Sequence, residues 1–156
     1  MKTMSLLFVC HGNICRSVMA EMVMRQMLEE AGLEGKVPVD SCATSTEEIG
    51  NAIYSPARRC LLSHGVPVLP HTARQITRED YARFDFILCM ENYNIRNLRR
   101  VLGEDIMAAD AALPQPKIRR LLPRDVADPW YTGDFEATYR DVVEGCKSLL
   151  LQVRSL

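Results

Sequence analysis

The sequence lacks an excess of charge of either sign: over 156 residues, 19 lysines and arginines face 20 aspartates and glutamates, a formal net charge of −1. No global field therefore draws it to nucleic acid or an anionic membrane. Long hydrophobic runs are missing too. The longest unbroken apolar stretches, near Leu6–Cys10 and Phe86–Met90, fall far short of the roughly 20 residues a membrane span needs. Met4–Val9 leads into a turn-forming stretch, not a small-residue cleavage site. There is no internal repeat, and no His/Cys/Asp set has convincing metal-ligand spacing. The expectation is one domain over residues 1–156, monomeric and cytoplasmic, with no cofactor, no metal, no nucleic-acid partner and no membrane partner. Six cysteines, Cys10, Cys15, Cys42, Cys60, Cys89 and Cys146, could suggest a disulfide scaffold, but several lie inside apolar periodic segments. A chain 47% apolar builds a core without staples, so reduced thiols are the better reading.

What is there begins at Val9–Ser17, Val-Cys-His-Gly-Asn-Ile-Cys-Arg-Ser. An apolar run, Ser5–Val9, reads as a buried strand, and a helical pattern begins after Ser17. Gly12 and Asn13 between them tolerate the positive φ of a tight loop. Strand, loop and helix N-terminus make a concave ring of N–H donors that suits a tetrahedral dianion. Arg16 adds a bidentate fork. Cys10 sits at the bottom, where donors that hold an anion also favour a thiolate. Ser17 is placed both to cap the helix and to donate toward the Cys10 sulfur.

Strand and helix patterns alternate along the rest of the chain. The spacing predicts strands near Ser5–Val9, Val37–Ala43, Phe84–Met90 and Lys117–Leu122. These imply an α/β fold, a single-domain three-layer sandwich with a central four-stranded parallel sheet and helices on both faces. The first helix runs to about Ala31, with Met19, Met22, Val23 and Met27 inward and Gly32 as its stop. A second opens at Ser55-Pro56, serine as cap, and ends at Gly65. Thr77-Arg78-Glu79-Asp80 starts a short third. Glu91–Leu102 is polar and closed by Gly103, and apolar residues from Phe135 to Val153 recur at helical spacing. His11 and His64 are read as loop and helix-end residues. In such a sheet the ligand site lies beyond the carboxyl ends of the strands, where Cys10 falls.

The loop resembles that of the low-molecular-weight protein tyrosine phosphatases, Cys-x-Gly-Asn-x-Cys-Arg-Ser near the N-terminus. Asp40–Ser45, Ile49-Gly50-Asn51, His71–Ile76, Phe84–Met90 and Asp128-Pro129-Trp130-Tyr131 resemble that family's landmarks in its order, so the likeness covers nearly the whole chain. It implies a phosphatase acting on phosphotyrosine in protein substrates and on small aryl phosphates, with inorganic phosphate as product or inhibitor. Cys10 is then the nucleophile, forming a phosphocysteine, Arg16 the oxyanion clamp and Asp128 the general acid and base. His11, Gly12, Asn13, Ile14, Cys15 and Ser17 surround the phosphate, with Glu47, Trp130 and Tyr131 at the mouth. Asn13, Ser17, Ser41 and His71 resemble the supporting hydrogen-bond network, and Cys15 either forms a protective disulfide with Cys10 or fills the underside of the loop.

Two positions depart from the family. Glu47, followed by Glu48, stands where an aromatic wall is common, which favours basic residues around the phosphotyrosine. Val18 replaces a proline that would preset the first helical turn. Other readings on the same fold are an arsenate reductase, a protein-arginine phosphatase, or a phosphate-binding module without catalysis. Cys89 has no second cysteine within ten residues for the reductase's relay, and the arginine phosphatases tend to carry threonine where this chain has Ile14.

Overall fold

The computed structural model describes residues 4–154. Four strands, β1 (Leu6–Cys10), β2 (Val39–Ala43), β3 (Phe86–Cys89) and β4 (Ile118–Arg120), pair in the order β2-β1-β3-β4, all parallel. The last three fall inside their predicted stretches, trimmed at the ends where pairing partners run out, while β1 starts one residue later than Ser5–Val9 and runs one further, to Cys10, which pairs with Ala43.

Side chains of β1 alternate between two cores, the expected consequence of a two-residue period covered on both faces. Leu6, Phe8 and Cys10 join one cluster, with α1 (Arg16–Glu30), α2 (Ser55–Ser63) and α7 (Phe135–Arg154). Leu7 and Val9 join the other, with Phe84, which follows α3 (Arg78–Arg83), and with α4 (Asn92–Leu102) and α5 (Glu104–Ala111). The sandwich with helices on both faces is therefore present. Among the described residues no helix is long and apolar enough to cross a membrane, and all six cysteines are free and buried.

Several local expectations are corrected. Helix α1 begins at Arg16, so Ser17 lies inside its first turn and caps nothing. Its first nine residues are buried on every side, not along one stripe, because α7 packs on the face turned away from the sheet. Tyr54 rather than Ser55 is the N-cap residue of α2, which puts Pro56 within the first turn. The loop-like stretch 122–133 contains a one-turn helix, α6 (Pro129–Thr132), and α5 follows directly on Gly103, whose φ of 95° lets one helix end and the next begin. Thr77 and Asp80 form the reciprocal capping box that starts α3.

Candidate active site

Chain order places the β1–α1 loop, the residues after β3 and the loop leaving β4 at the same sheet edge. There Cys10–Arg16 line a cleft of about 140 Å³, closed at its mouth by Glu47, Glu48, Asp128, Trp130 and Tyr131.

Asn13 sets the loop's shape. It is the one non-glycine with a left-handed backbone among the described residues, at φ 61°. Gly12 does not take positive φ. A Cβ there would meet Glu48 Cγ at 3.3 Å, a tight contact that the Glu48 side chain would have to yield to. The Asn13 side chain is fully engaged: Nδ2 donates to Ser17 Oγ (2.8 Å) and Ser41 Oγ (3.0 Å), and Oδ1 accepts from the Arg74 amide (3.2 Å). His71 Nε2 donates to the Asn13 carbonyl at 2.7 Å. Ser41 Oγ in turn donates a hydrogen bond to the buried Glu21, 2.6 Å away. The structure thus brings Asn13, Ser17, Ser41 and His71 together beneath the loop.

Cys10, 3% exposed, receives the Asn13 amide at its Sγ (3.2 Å) and lies 3.0 Å from Ser17 Oγ. Since Ser17 Oγ already accepts from Asn13, its own hydrogen is available to a Cys10 thiolate. Two groups thus converge on the sulfur.

Arg16 is almost fully buried, and burial by itself disfavours its charge. Cys10, Asp128 and Glu91 outweigh that and hold its pKa above the ordinary value. The guanidinium is braced by the Val126 carbonyl (2.8 Å), by Glu91 at 3.3 and 3.4 Å, and by Asp128 at 3.3 Å. Asp128 is the N-cap of α6: Oδ1 accepts the Trp130 amide at 3.0 Å while Oδ2 faces Arg16. The turn-forming role and a position over the cleft coexist in one carboxylate.

Burial, then the neighbouring Cys10, pushes the Cys15 thiol up to about 12. It packs with Ile14 and Ala73 under the loop. At the mouth, Trp130 and Tyr131 are 53% and 85% exposed, and Trp130 leans on Tyr54 with ring centroids 4.8 Å apart. Glu47 binds His11 Nε2 at 3.0 Å. Its loop is sutured to the cradle by the Thr44 amide on the Cys10 carbonyl and the Ser45 amide and hydroxyl on the His11 carbonyl.

Sequence reasoning missed Glu91, Tyr54, Glu21 and Arg74. Glu91 was findable, since it follows the carboxyl end of β3, the strand beside β1, where ligand sites form. The others hold the site from beneath and carry no local pattern.

The family model for "Low molecular weight phosphotyrosine protein phosphatase" matches residues 5–155. The phosphatase of that name from Homo sapiens is 40% identical across 95% of this chain and 94% of its own length. The crystal structure of YfkJ from Bacillus subtilis superposes with a TM-score of 0.87 at 36% identity, covering 99% of this chain and 97% of that one. A Drosophila arginine phosphatase matches with a TM-score of 0.80 at 30% identity, covering 96% of this chain and 97% of its own. With a family model spanning all but a few terminal residues and relatives of this similarity, the chain belongs to the low molecular weight phosphotyrosine protein phosphatase family.

Proposed function

We propose that this protein hydrolyses phosphotyrosine in proteins, and small aryl phosphates, through a phosphocysteine intermediate. The observation that carries this is the meeting of Cys10, Arg16 and Asp128 in one cleft sized for a phosphate group. The Cys10 thiolate attacks phosphorus in line with the departing oxygen, while Arg16 and the loop amides hold the equatorial oxygens. Asp128 gives its proton to the leaving phenolate, so that the P–O bond breaks as the S–P bond forms. Water then attacks the phosphocysteine, Asp128 takes its proton, and inorganic phosphate and the thiolate are restored. General acid–base help of this kind contributes about 10² to 10⁴ in rate. Charge neutralisation by Arg16 and the amides serves the step without a metal.

His11, Gly12, Asn13, Ile14, Cys15 and Ser17 then shape the phosphate pocket, and Trp130 with Tyr131 flanks the aryl ring. Glu47 and Glu48 add negative charge beside a dianionic substrate. They favour phosphotyrosines next to basic residues, and Glu47→Trp is expected to improve KM for small aryl phosphates.

The arginine-phosphatase reading has the Drosophila neighbour in its favour. Ile14, an apolar side chain in the cleft, favours the aryl group instead. An arsenate-reductase relay is disfavoured, because Cys89 lies fully buried in β3 with its thiol pushed up by burial and by Cys10. The test is hydrolysis of an aryl phosphate with chelator present, for wild type, Cys10→Ser and Asp128→Ala, with phosphoarginine in parallel. Aryl turnover lost in Cys10→Ser and cut about 10² to 10⁴-fold in Asp128→Ala supports the scheme. Preference for phosphoarginine, or full turnover by Cys10→Ser, refutes it.

A further inference from the structure

Away from the cleft, three potential ligands that the hydrolysis does not use meet where α2 packs on α7. Cys60 lies on α2 and His64, four residues on, is the C-cap that ends it, a spacing that turns both toward one side, as in helical motifs that hold zinc through two side chains. Glu136 reaches them from the first turn of α7. Its Oε1 lies 3.6 Å from Cys60 Sγ, its Oε2 lies 2.7 Å from His64 Nε2, and the donor atoms all fall within 4.8 Å of one another.

Tetrahedral zinc with sulfur, nitrogen and oxygen at ordinary bond lengths spaces its ligands about 3.3–3.7 Å apart. Cys60 meets Glu136 at Oε1 and His64 meets it at Oε2, so the half-exposed carboxylate has to turn to present one oxygen to both partners and open the His64 contact by less than about 1 Å, within reach of a rotamer change. His64 is held for the task by stacking on Tyr139, with centroids 3.9 Å apart and planes 8° from parallel. Cys60 is buried, whereas the imidazole and carboxylate are partly open to solvent, giving an ion an approach and a water its fourth position.

We propose that Cys60, His64 and Glu136 form a zinc site. Cys60 binds as thiolate after releasing its proton to solvent, His64 binds through Nε2 and Glu136 through one carboxylate oxygen. A sulfur and an imidazole select a borderline-soft ion over magnesium or calcium. The bound ion pins α2 to the start of α7 beside Phe135, whose ring packs on Tyr54 and, through it, on Trp130 at the cleft mouth. None of the three ligands lines the cleft. In the sequence the pair has no third ligand nearby, because Glu136 lies 72 residues beyond His64.

Cys10 is itself a thiol that could take a metal, so the test uses the full chain carrying Cys10→Ser. Cobalt(II) titration is expected to give a thiolate-to-metal charge-transfer band saturating at one ion per chain and displaced by Zn²⁺. Adding Cys60→Ser abolishes the band, and adding His64→Ala weakens binding at least tenfold. Thermal melting in Zn²⁺ rises for the Cys10→Ser protein and not for its His64→Ala derivative. His64 is a partly exposed helix-end residue, so this variant folds even where Cys60→Ser does not. No band with folded Cys10→Ser protein, a band that survives Cys60→Ser, or affinity within twofold after His64→Ala overturns the proposal.

Discussion

Replacing Asn13 tests the loop's architecture most directly, because two separable forces hold that residue. Its side chain makes three buried hydrogen bonds, and its backbone sits at φ 61°. Asn13→Gly removes the bonds and keeps the conformation accessible. At about 1 kcal/mol per bond the loss is roughly 2–3 kcal/mol, the main cost being the Arg74 amide left without its acceptor. Ser41 loses only a donor and keeps its bond to Glu21. Asn13→Ala removes the same bonds and adds about 1–2 kcal/mol for a Cβ in the left-handed region. Glycine, though, carries a larger unfolded-state entropy, about 0.4–1 kcal/mol, which narrows the gap. The net expectation is that Asn13→Ala is less stable than Asn13→Gly by roughly 1 kcal/mol, with both folded at 25 °C. Activity should fall in both, since the Asn13 side chain orients Ser17, whose hydroxyl lies 3.0 Å from the Cys10 sulfur. Urea unfolding and aryl-phosphate kcat, read on the same preparations, decide the matter. Alanine equal to or more stable than glycine would refute the strain argument. Wild-type kcat in both would refute the positioning argument.

Asp80 caps α3 and takes a two-pronged bond from Arg74, whose amide anchors Asn13. Burial raises the Asp80 pKa, but Arg74 and Thr77 outweigh it and hold the folded carboxyl below its ordinary value. Asp80→Asn is expected to cost about 2 kcal/mol, measured by urea unfolding. That difference is constant above the unfolded pKa and vanishes as pH falls through the lower folded value; a difference growing on acidification contradicts the assignment. Gly145→Ala should destabilise by about 1–3 kcal/mol despite the better helix propensity of alanine, because its Cβ would meet Leu121 Cγ at 2.4 Å. A higher melting temperature for the variant would show that Leu121 has room to move. If Cys15 serves as a redox partner, peroxide is expected to convert the Cys10 thiolate to a sulfenic acid, from whose sulfur the Cys15 thiolate displaces hydroxide to form the disulfide. With Cys15 pushed up to about 12, the second step should quicken about tenfold per pH unit between pH 7 and 9, followed by alkylation and mass spectrometry. A flat profile would assign the resolving step to another thiol.

The nucleophile loop, the strands and most of the helices were legible in the sequence because each rests on local rules. A five-residue apolar run before a Gly-Asn turn reads as a strand entering a tight loop, and Thr77 with Asp80 marks a helix start through atoms three residues apart. Ser17 and Ser55 misled for the same reason: the capping preference is local, but the backbone that decides which residue caps is set by the loop before it. Helix α6 was hidden because one turn between Pro129 and Thr132 has no period to detect. Residue types at short spacing thus determined the reaction chemistry available to this chain. Only the tertiary structure decided that Glu91 and Asp128 would flank Arg16, that the first nine residues of α1 would be buried on every side, and that Cys60, His64 and Glu136 would meet. Those contacts join residues tens of positions apart, and no short-range pattern records them until the parallel sheet fixes where each loop ends.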